Sequence, residues 1–372
     1  MKKVNFVLSR GLVFWQADIS KDREILDFVR GLAAILVYLS HADHNRIVSN
    51  NLLVSIKGIL GEFGVSLFFI MSGYLIWCSA AKNLGNHYKN NKGIWKYATN
   101  RATRILPLYL VNILFCVTLL PLIKSDFAPT AGIIEIVRHL TFTQTFDPNV
   151  SRTINPVLWS LGYEGIFYMI VPVLLIITRK YTSILLVASW ILSIYASNHT
   201  IPVVQHFLMM FCLFASGIFM AEKKVVLAPW ISLLLILTGL LLLKFAPPIY
   251  LGNYVSLISI GFFTLPYTLL NFMHRFRDFL NKYNFLGISW VGVISYSVYI
   301  WHYLLLNIFS GYRLPDLLRL YNNNDFICAA LFTSVVLIIS YISYLLIEKP
   351  SMTILRERIL ERLCSSNAMR SP

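Results

Sequence analysis

LDFVRGLAAILVYLSHADHN (residues 26–45) sets an arginine and a histidine at the two ends of ten residues that are nearly all apolar. Eleven steps of 100° come within about 20° of three full turns, so on a helix Arg30 and His41 share one face, roughly 16 Å apart along the axis. A run of about 20 mostly apolar residues is what a helix needs to cross a bilayer. The rest of the chain repeats the pattern.

The composition agrees. The chain has 372 residues, 57% of them hydrophobic and only 13% charged, where a soluble domain carries about 25% charged residues; its mean hydropathy is +0.66. Apolar stretches of spanning length fall near residues 25–43, 60–80, 102–122, 156–178, 182–198, 202–221, 227–246, 252–272, 288–309 and 326–347. The expected fold is therefore all-α, a polytopic bundle of about ten transmembrane helices. Residues 1–24 read as a cytoplasmic lead-in without a cleavage signal, 25–350 as the membrane domain, and 351–372 as a cytoplasmic tail. Neither an internal repeat nor a low-complexity segment stands out.

A net charge of +15 would suggest nucleic acid in a soluble protein, but the placement of the basic residues decides otherwise. With the N-terminus inside, 24 Lys and Arg fall on the inner side and 8 on the outer, the bias expected of an even number of spans with both termini in the cytoplasm. The five cysteines are odd in number and have no CxxC spacing, so they read as small buried hydrophobes, with neither disulfides nor a metal site implied.

Ionisable groups inside a bilayer cost a few kcal/mol each and so need partners, water or a task. Glu164, in NPVLWSLGYEGIFYMIVP, is the acidic residue that falls well inside a span, roughly 12 Å below the outer boundary at 1.5 Å per residue. His41, climbing from the inner side, ends near the same level. A histidine and a carboxylate at one depth suit a general base and its orienting partner. Arg101 and Arg104, in NRATRILPLYL, are three residues apart and share a face at the inner mouth of the third span; paired guanidinium forks suit phosphate oxygens. His302, in SYSVYIWHYLLLN, approaches the depth of His41 and is a candidate substrate contact, as is Tyr74 in the second span. The outer loop at 123–155 adds Arg138 and Arg152 among aromatics, a mixture suited to binding sugar.

Together these segments resemble the acyltransferase 3 family of bacterial integral membrane acyltransferases, over residues 25 to 350. LDFVRGLAAILVYLSH is similar to its first-helix motif, GVSLFFIMSGYLI to its second helix and NRATRILPLYL to its double-arginine segment. VLWSLGYEGIFYMIVP is similar to its Trp-Ser-Leu and Glu segment, and SYSVYIWH with EKP to its last two helices. The resemblance implies transfer of an acyl group, usually acetyl, from cytoplasmic acetyl-CoA to a hydroxyl of an extracytoplasmic glycan or lipid-linked sugar. Lipopolysaccharide O-antigen and exopolysaccharide are such acceptors, and the site is the bacterial inner membrane. By position it implies catalytic roles for His41, Arg30 and Glu164 and acyl-CoA binding by Arg101 and Arg104, with no metal and no nucleic acid. Direct attack by the acceptor and an acyl-enzyme on His41 both remain open. So does a transporter or flippase of a lipid-linked glycan, because an intramembrane histidine and carboxylate also suit proton coupling.

Overall fold

A computed structural model of the chain describes residues 13–16, 18, 23–44, 51–84, 91–123, 131–199, 202–246, 251–272, 287–314, 316 and 325–368. Strand β1 (Phe14–Gln16) comes first, then helices α1 (Arg23–His44), α2 (Asn51–Leu84), α3 (Asn91–Leu114), α4 (Ile133–Leu140), α5 (Trp159–Thr178), α6 (Thr182–His199) and α7 (Pro202–Lys223). Strand β2 (Val225–Leu227) precedes α8 (Pro229–Phe245), α9 (Leu251–Phe272), α10 (Ile288–Val293), α11 (Ser295–Gly311), α12 (Asp325–Ser343) and α13 (Arg356–Ala368).

All ten segments expected from hydropathy fall on helix. Among the described residues six apolar helical runs are long enough to cross a membrane: Arg23–Ala42, Lys57–Leu84, Lys92–Leu122, Pro156–Ser197, Pro202–Lys223 and Ile327–Leu363. The fourth of these holds two expected spans, α5 and α6, divided by a basic 3-10 turn at Arg179–Tyr181. Two shorter apolar helices cover Pro229–Phe245 and Gly252–Leu265. Side chains such as Met169, Ile177, Leu237 and Leu346 stand exposed, as lipid-facing residues do. Helices suit this setting because each backbone hydrogen bond closes within its own segment. The chain is a multi-pass membrane protein.

Two departures from the expected fold have local causes. The lead-in contributes a strand: β1 pairs antiparallel with β2, Phe14 opposite Leu227 and Gln16 opposite Val225. Lys224 ends α7 with φ of 51°, a left-handed cap that turns the chain into the β-branched Val225 and Val226. The boundary expected at residue 350 falls inside a continuous helix, since α12 passes through π turns at Tyr344–Glu348 and Ser351–Leu355 into α13. Proline lacks an N–H and crowds the carbonyl four residues back; the wider π turns on either side of Pro350 accommodate it.

The chain sorts into two compact units, one drawn from Met1–Ala33, Glu62–Cys78 and Ile176–Val293, the other from Ala34–Gly61, Ser79–Leu175 and Ile294–Pro372. In the first, α6 packs along α7 and α8 along α9. There α2 and α7 approach through glycine: a Cβ on Gly73 would overlap the Phe214 backbone, and one on Gly217 the Ile70 carbonyl. Small residues let helices meet closely where lipid offers no hydrophobic drive for association. In the second unit, α11 packs on α12 and α3 on α13.

In that second unit the segment 131–158 is seated on α3 and α5 by buried polar groups. The Tyr109 hydroxyl donates to the His139 carbonyl at 2.9 Å, while Gln144 Nε2 donates to the Leu158 carbonyl at 3.1 Å and to Tyr109 Oη at 3.3 Å. Phe142 stacks on the Tyr109 ring at 4.9 Å. Asn155 donates to Asn112 Oδ1 and to the Ile300 carbonyl, both at 3.0 Å. Gly162 leaves room for Thr145 and Gln144, and Gly165 for the Phe142 ring. His139 is fully buried, with Nδ1 donating to the Glu135 carbonyl at 2.8 Å. Among the described residues its Nε2 has no hydrogen-bond partner.

Two outcomes are expected. Gly217→Val forces a branched side chain against fixed backbone and should destabilise the protein by about 1–3 kcal/mol, read as a lower midpoint for heat-induced loss of monodisperse protein in detergent; an unchanged midpoint would contradict the close approach. Burial pushes the His139 imidazole below its ordinary value, opposed by the Glu135 carbonyl and carboxylate. A folded state that keeps this histidine neutral is fully favoured above the unfolded value of about 6.5 and loses that stability as pH falls below it. Amide exchange in 131–158, corrected for intrinsic rates, should accelerate below that pH, and His139→Leu should flatten the dependence.

Candidate active site

Within α11 the sequence SYSVYIWH places Tyr296, Tyr299 and His302 three residues apart, hence along one helical stripe. Tyr296, Ser297, Tyr299 and Trp301 are each tied to a different part of the second unit. Tyr296 Oη donates to the Ile105 carbonyl on α3 at 2.8 Å, and Ser297 Oγ donates to Glu348 Oε2 at 2.9 Å. Tyr299 Oη pairs with Ser160 Oγ on α5 at 2.6 Å and donates to the Val157 carbonyl at 3.1 Å. Trp301 Nε1 donates to Ser343 Oγ on α12 at 2.9 Å. Buried polar groups in an apolar interior must be bonded or they cost several kcal/mol, so α11 is fixed in both rotation and height.

His302, 1% exposed, is the next member of that stripe and meets His41 from α1. Its Nε2 lies 3.3 Å from His41 Nδ1, and its own Nδ1 lies 3.0 Å from the Val298 carbonyl. The rings are 5.1 Å apart, and Tyr303 presents an edge-on ring to His41 at 5.0 Å. His41 Nδ1 also lies 2.9 Å from the Val37 carbonyl and 3.3 Å from Ser40 Oγ. His41 is only partly buried. The structure thus gives His41 an imidazole partner, His302.

Glu164 belongs to a second cluster. Its Oε1 accepts from the Tyr168 hydroxyl, one turn further along α5, at 2.6 Å. Tyr168 lies within electrostatic reach of Glu164, Arg101 and Arg104, and the Arg101 guanidinium sits over its ring at 5.8 Å. Among the described residues Arg101 Nε is buried without a hydrogen-bond partner. Arg104 Nη1 donates a long contact, 4.0 Å, to Met352 Sδ. Glu164 also stands within electrostatic reach of Tyr296 and Tyr299, so the two clusters meet along α11 and α5. A partly buried guanidinium pair beside a tyrosine is a chemistry suited to phosphate oxygens.

The remaining expected residues have other surroundings. In the first unit, Arg30 Nη1 pairs with Asp27 Oδ1 at 3.1 Å. Tyr74 is fully buried, its hydroxyl donating to Asp18 Oδ1 at 3.4 Å; a side chain so enclosed serves the packing of the first unit. In the second unit, Arg138 forms an ion pair with Asp147, while Arg152 is exposed.

Several members of the site were not singled out by sequence. Glu348 stands one residue beyond the expected end of its span, yet it is 2% exposed and bonded to Ser297. Tyr168 and Tyr299 read as ordinary aromatic content, although their three- and four-residue spacing from His302 and Glu164 was the available signal. Asn155 sits in a loop whose other polar residues drew attention instead.

The family model described as an acyltransferase domain matches residues 23–345, a stretch that contains His41, His302, Glu164 and both arginines of the basic pair. Acyltransferase MdmB of Streptomyces mycarofaciens is 24% identical over 159 residues, which cover 41% of this chain and 39% of that protein. No solved structure matches. The match over most of the chain shows that this protein belongs to the acyltransferase 3 family.

Proposed function

We propose that the protein is a membrane O-acyltransferase that moves an acetyl group from cytoplasmic acetyl-CoA to a hydroxyl of an extracytoplasmic glycan, such as lipopolysaccharide O-antigen or exopolysaccharide, in a bacterial inner membrane. The observation that carries this reading is the His41–His302 pair lying in the same compact unit as the Arg101–Arg104 face. Ten spans with both termini in the cytoplasm put the basic pair at the inner mouth of α3 and His41 toward the outer side.

In this scheme Arg101 and Arg104 take the phosphates of the donor, the role for which forked guanidinium groups are suited; the buried Arg101 Nε, without a hydrogen-bond partner among the described residues, supports it. Arg30, three turns below His41 on one face of α1, assists on the donor side. His41 removes the proton of the acceptor hydroxyl as its oxygen attacks the thioester carbonyl. The new C–O ester bond forms, the C–S bond breaks, and the proton passes to the departing thiolate, giving free CoA. General-base assistance of this kind is worth about 10²–10⁴-fold. Glu164, held by Tyr168, tunes the charge between the arginines and α11. The segment 131–158, with Arg138 and Arg152, contributes to holding the sugar.

The test compares membranes carrying equal amounts of wild type, His41→Ala and the double variant Arg101→Ala, Arg104→Ala, each supplied with labelled acetyl-CoA. Wild type should deposit base-labile label on glycan and release CoA thiol. His41→Ala should lose about 10²–10⁴-fold of that rate, and an undiminished rate would contradict the assignment. The arginine variant should raise the acetyl-CoA concentration needed for half-maximal rate. Movement of glycan across the membrane without acetyl-CoA consumption would favour transport instead.

A further inference from the structure

We infer that His302 is the positioning residue of His41: together with the Val37 carbonyl and Ser40 Oγ it fixes the neutral tautomer that carries hydrogen on Nδ1, so that Nε2 of His41 is the basic nitrogen. The inference deepens the acyl-transfer reading and rests on it for its catalytic meaning, but the tautomer itself follows from hydrogen-bond geometry alone.

The assignment starts at the Val298 carbonyl. A carbonyl oxygen only accepts, so the 3.0 Å approach of His302 Nδ1 requires hydrogen on that nitrogen. His302 is almost completely buried, where the neutral ring is favoured, and its Nε2 then holds a lone pair. This lone pair points at His41 Nδ1, 3.3 Å away. The Val37 carbonyl, 2.9 Å from the same His41 nitrogen, is a second acceptor. Ser40 is a third, because its own hydroxyl hydrogen is spent on the Val37 carbonyl at 2.7 Å, leaving Oγ to accept at 3.3 Å from the imidazole. Three acceptors converge on one nitrogen. Hydrogen on His41 Nδ1 satisfies them, and the lone pair of the neutral ring lies on Nε2.

The consequence reaches beyond ground-state order. When His41 takes a proton on Nε2 its Nδ1–H becomes more acidic and binds both the Val37 carbonyl and the His302 lone pair more strongly, as charge-assisted hydrogen bonds do. A neutral imidazole thereby fills the place that a carboxylate holds in a serine hydrolase triad, where the third member sets tautomer and orientation. It does so without burying a second charge. The i−4 carbonyl alone is shared by His139 and His302; the facing imidazole is what distinguishes His41.

Two measurements test this on the full-length protein in lipid bilayers. Solid-state ¹⁵N spectra of histidine-labelled wild type, with His41 assigned by loss of its signals in His41→Asn, should show a protonated Nδ1 and an unprotonated Nε2. The reverse pattern overturns the inference. In the labelled acetyl-CoA assay with native membrane glycan as acceptor, His302→Gln keeps an acceptor oxygen near the place of Nε2 and should retain kcat within about tenfold of wild type. His302→Leu fills the space without an acceptor and should lower kcat by about 10²-fold, with KM for acetyl-CoA nearly unchanged. Equal rates for the two variants at equal abundance would reduce His302 to a packing residue and overturn its role. Failure of the acyl-transfer reading would appear as wild type consuming no acetyl-CoA, a result that leaves the ¹⁵N tautomer measurement intact and separately decisive.

Discussion

An imidazole in an apolar bundle has one donor and one acceptor to satisfy, and the fold answers that requirement for His41 with a second imidazole. The contact at 3.3 Å between His302 and His41 joins α1 to α11. Everything else in the second unit can be viewed as holding α11 where that contact forms. Tyr296, Ser297, Tyr299 and Trp301 lash it to α3, to the π turn at Glu348, to α5 and to α12. Removing any one of these bonds would leave a buried group unsatisfied, at about 1–3 kcal/mol.

The two charged regions divide the labour. Near α3 and α5 the side chains are ionic, with Arg101, Arg104 and Glu164 gathered around Tyr168. Around His41 lie an imidazole, a phenol ring, a serine and a carbonyl. Neutral hydrogen-bonding groups of this kind set the tautomer and orientation of an imidazole. Phosphate recognition gains from charge instead, since concentrated positive charge in a partly desolvated setting binds anions well.

Much of this was legible in the sequence, and the reasons differ by feature. All ten helical segments could be read because hydropathy and length are direct demands of a bilayer. Arg30 with His41, and Arg101 with Arg104, could be read because helical spacing is local. Glu348 was missed because segment ends are blurred by π turns, which no simple periodicity announces. His302 could not be assigned to His41 from sequence because depth fixes height along a helix but not rotation about it; the rotation of α11 is set by Tyr299, Trp301 and their bonds. The strand at Phe14–Gln16 was invisible because it depends on Val225–Leu227, more than 200 residues away. Gly73 meets the Phe214 backbone, an approach that only a residue without a side chain permits.

The central claim is that one compact unit offers phosphate-binding arginines at one level and a base, His41 Nε2, at another, with a single thioester able to join them. An experimental structure of the protein in lipid with a non-hydrolysable acetyl-CoA analogue tests it most directly. The account expects the analogue's phosphates on Arg101 and Arg104, with its acyl carbonyl facing His41 Nε2 across the space of one hydroxyl group. An analogue whose acyl end turns away from His41, or whose phosphates dock on a different basic face, would contradict it.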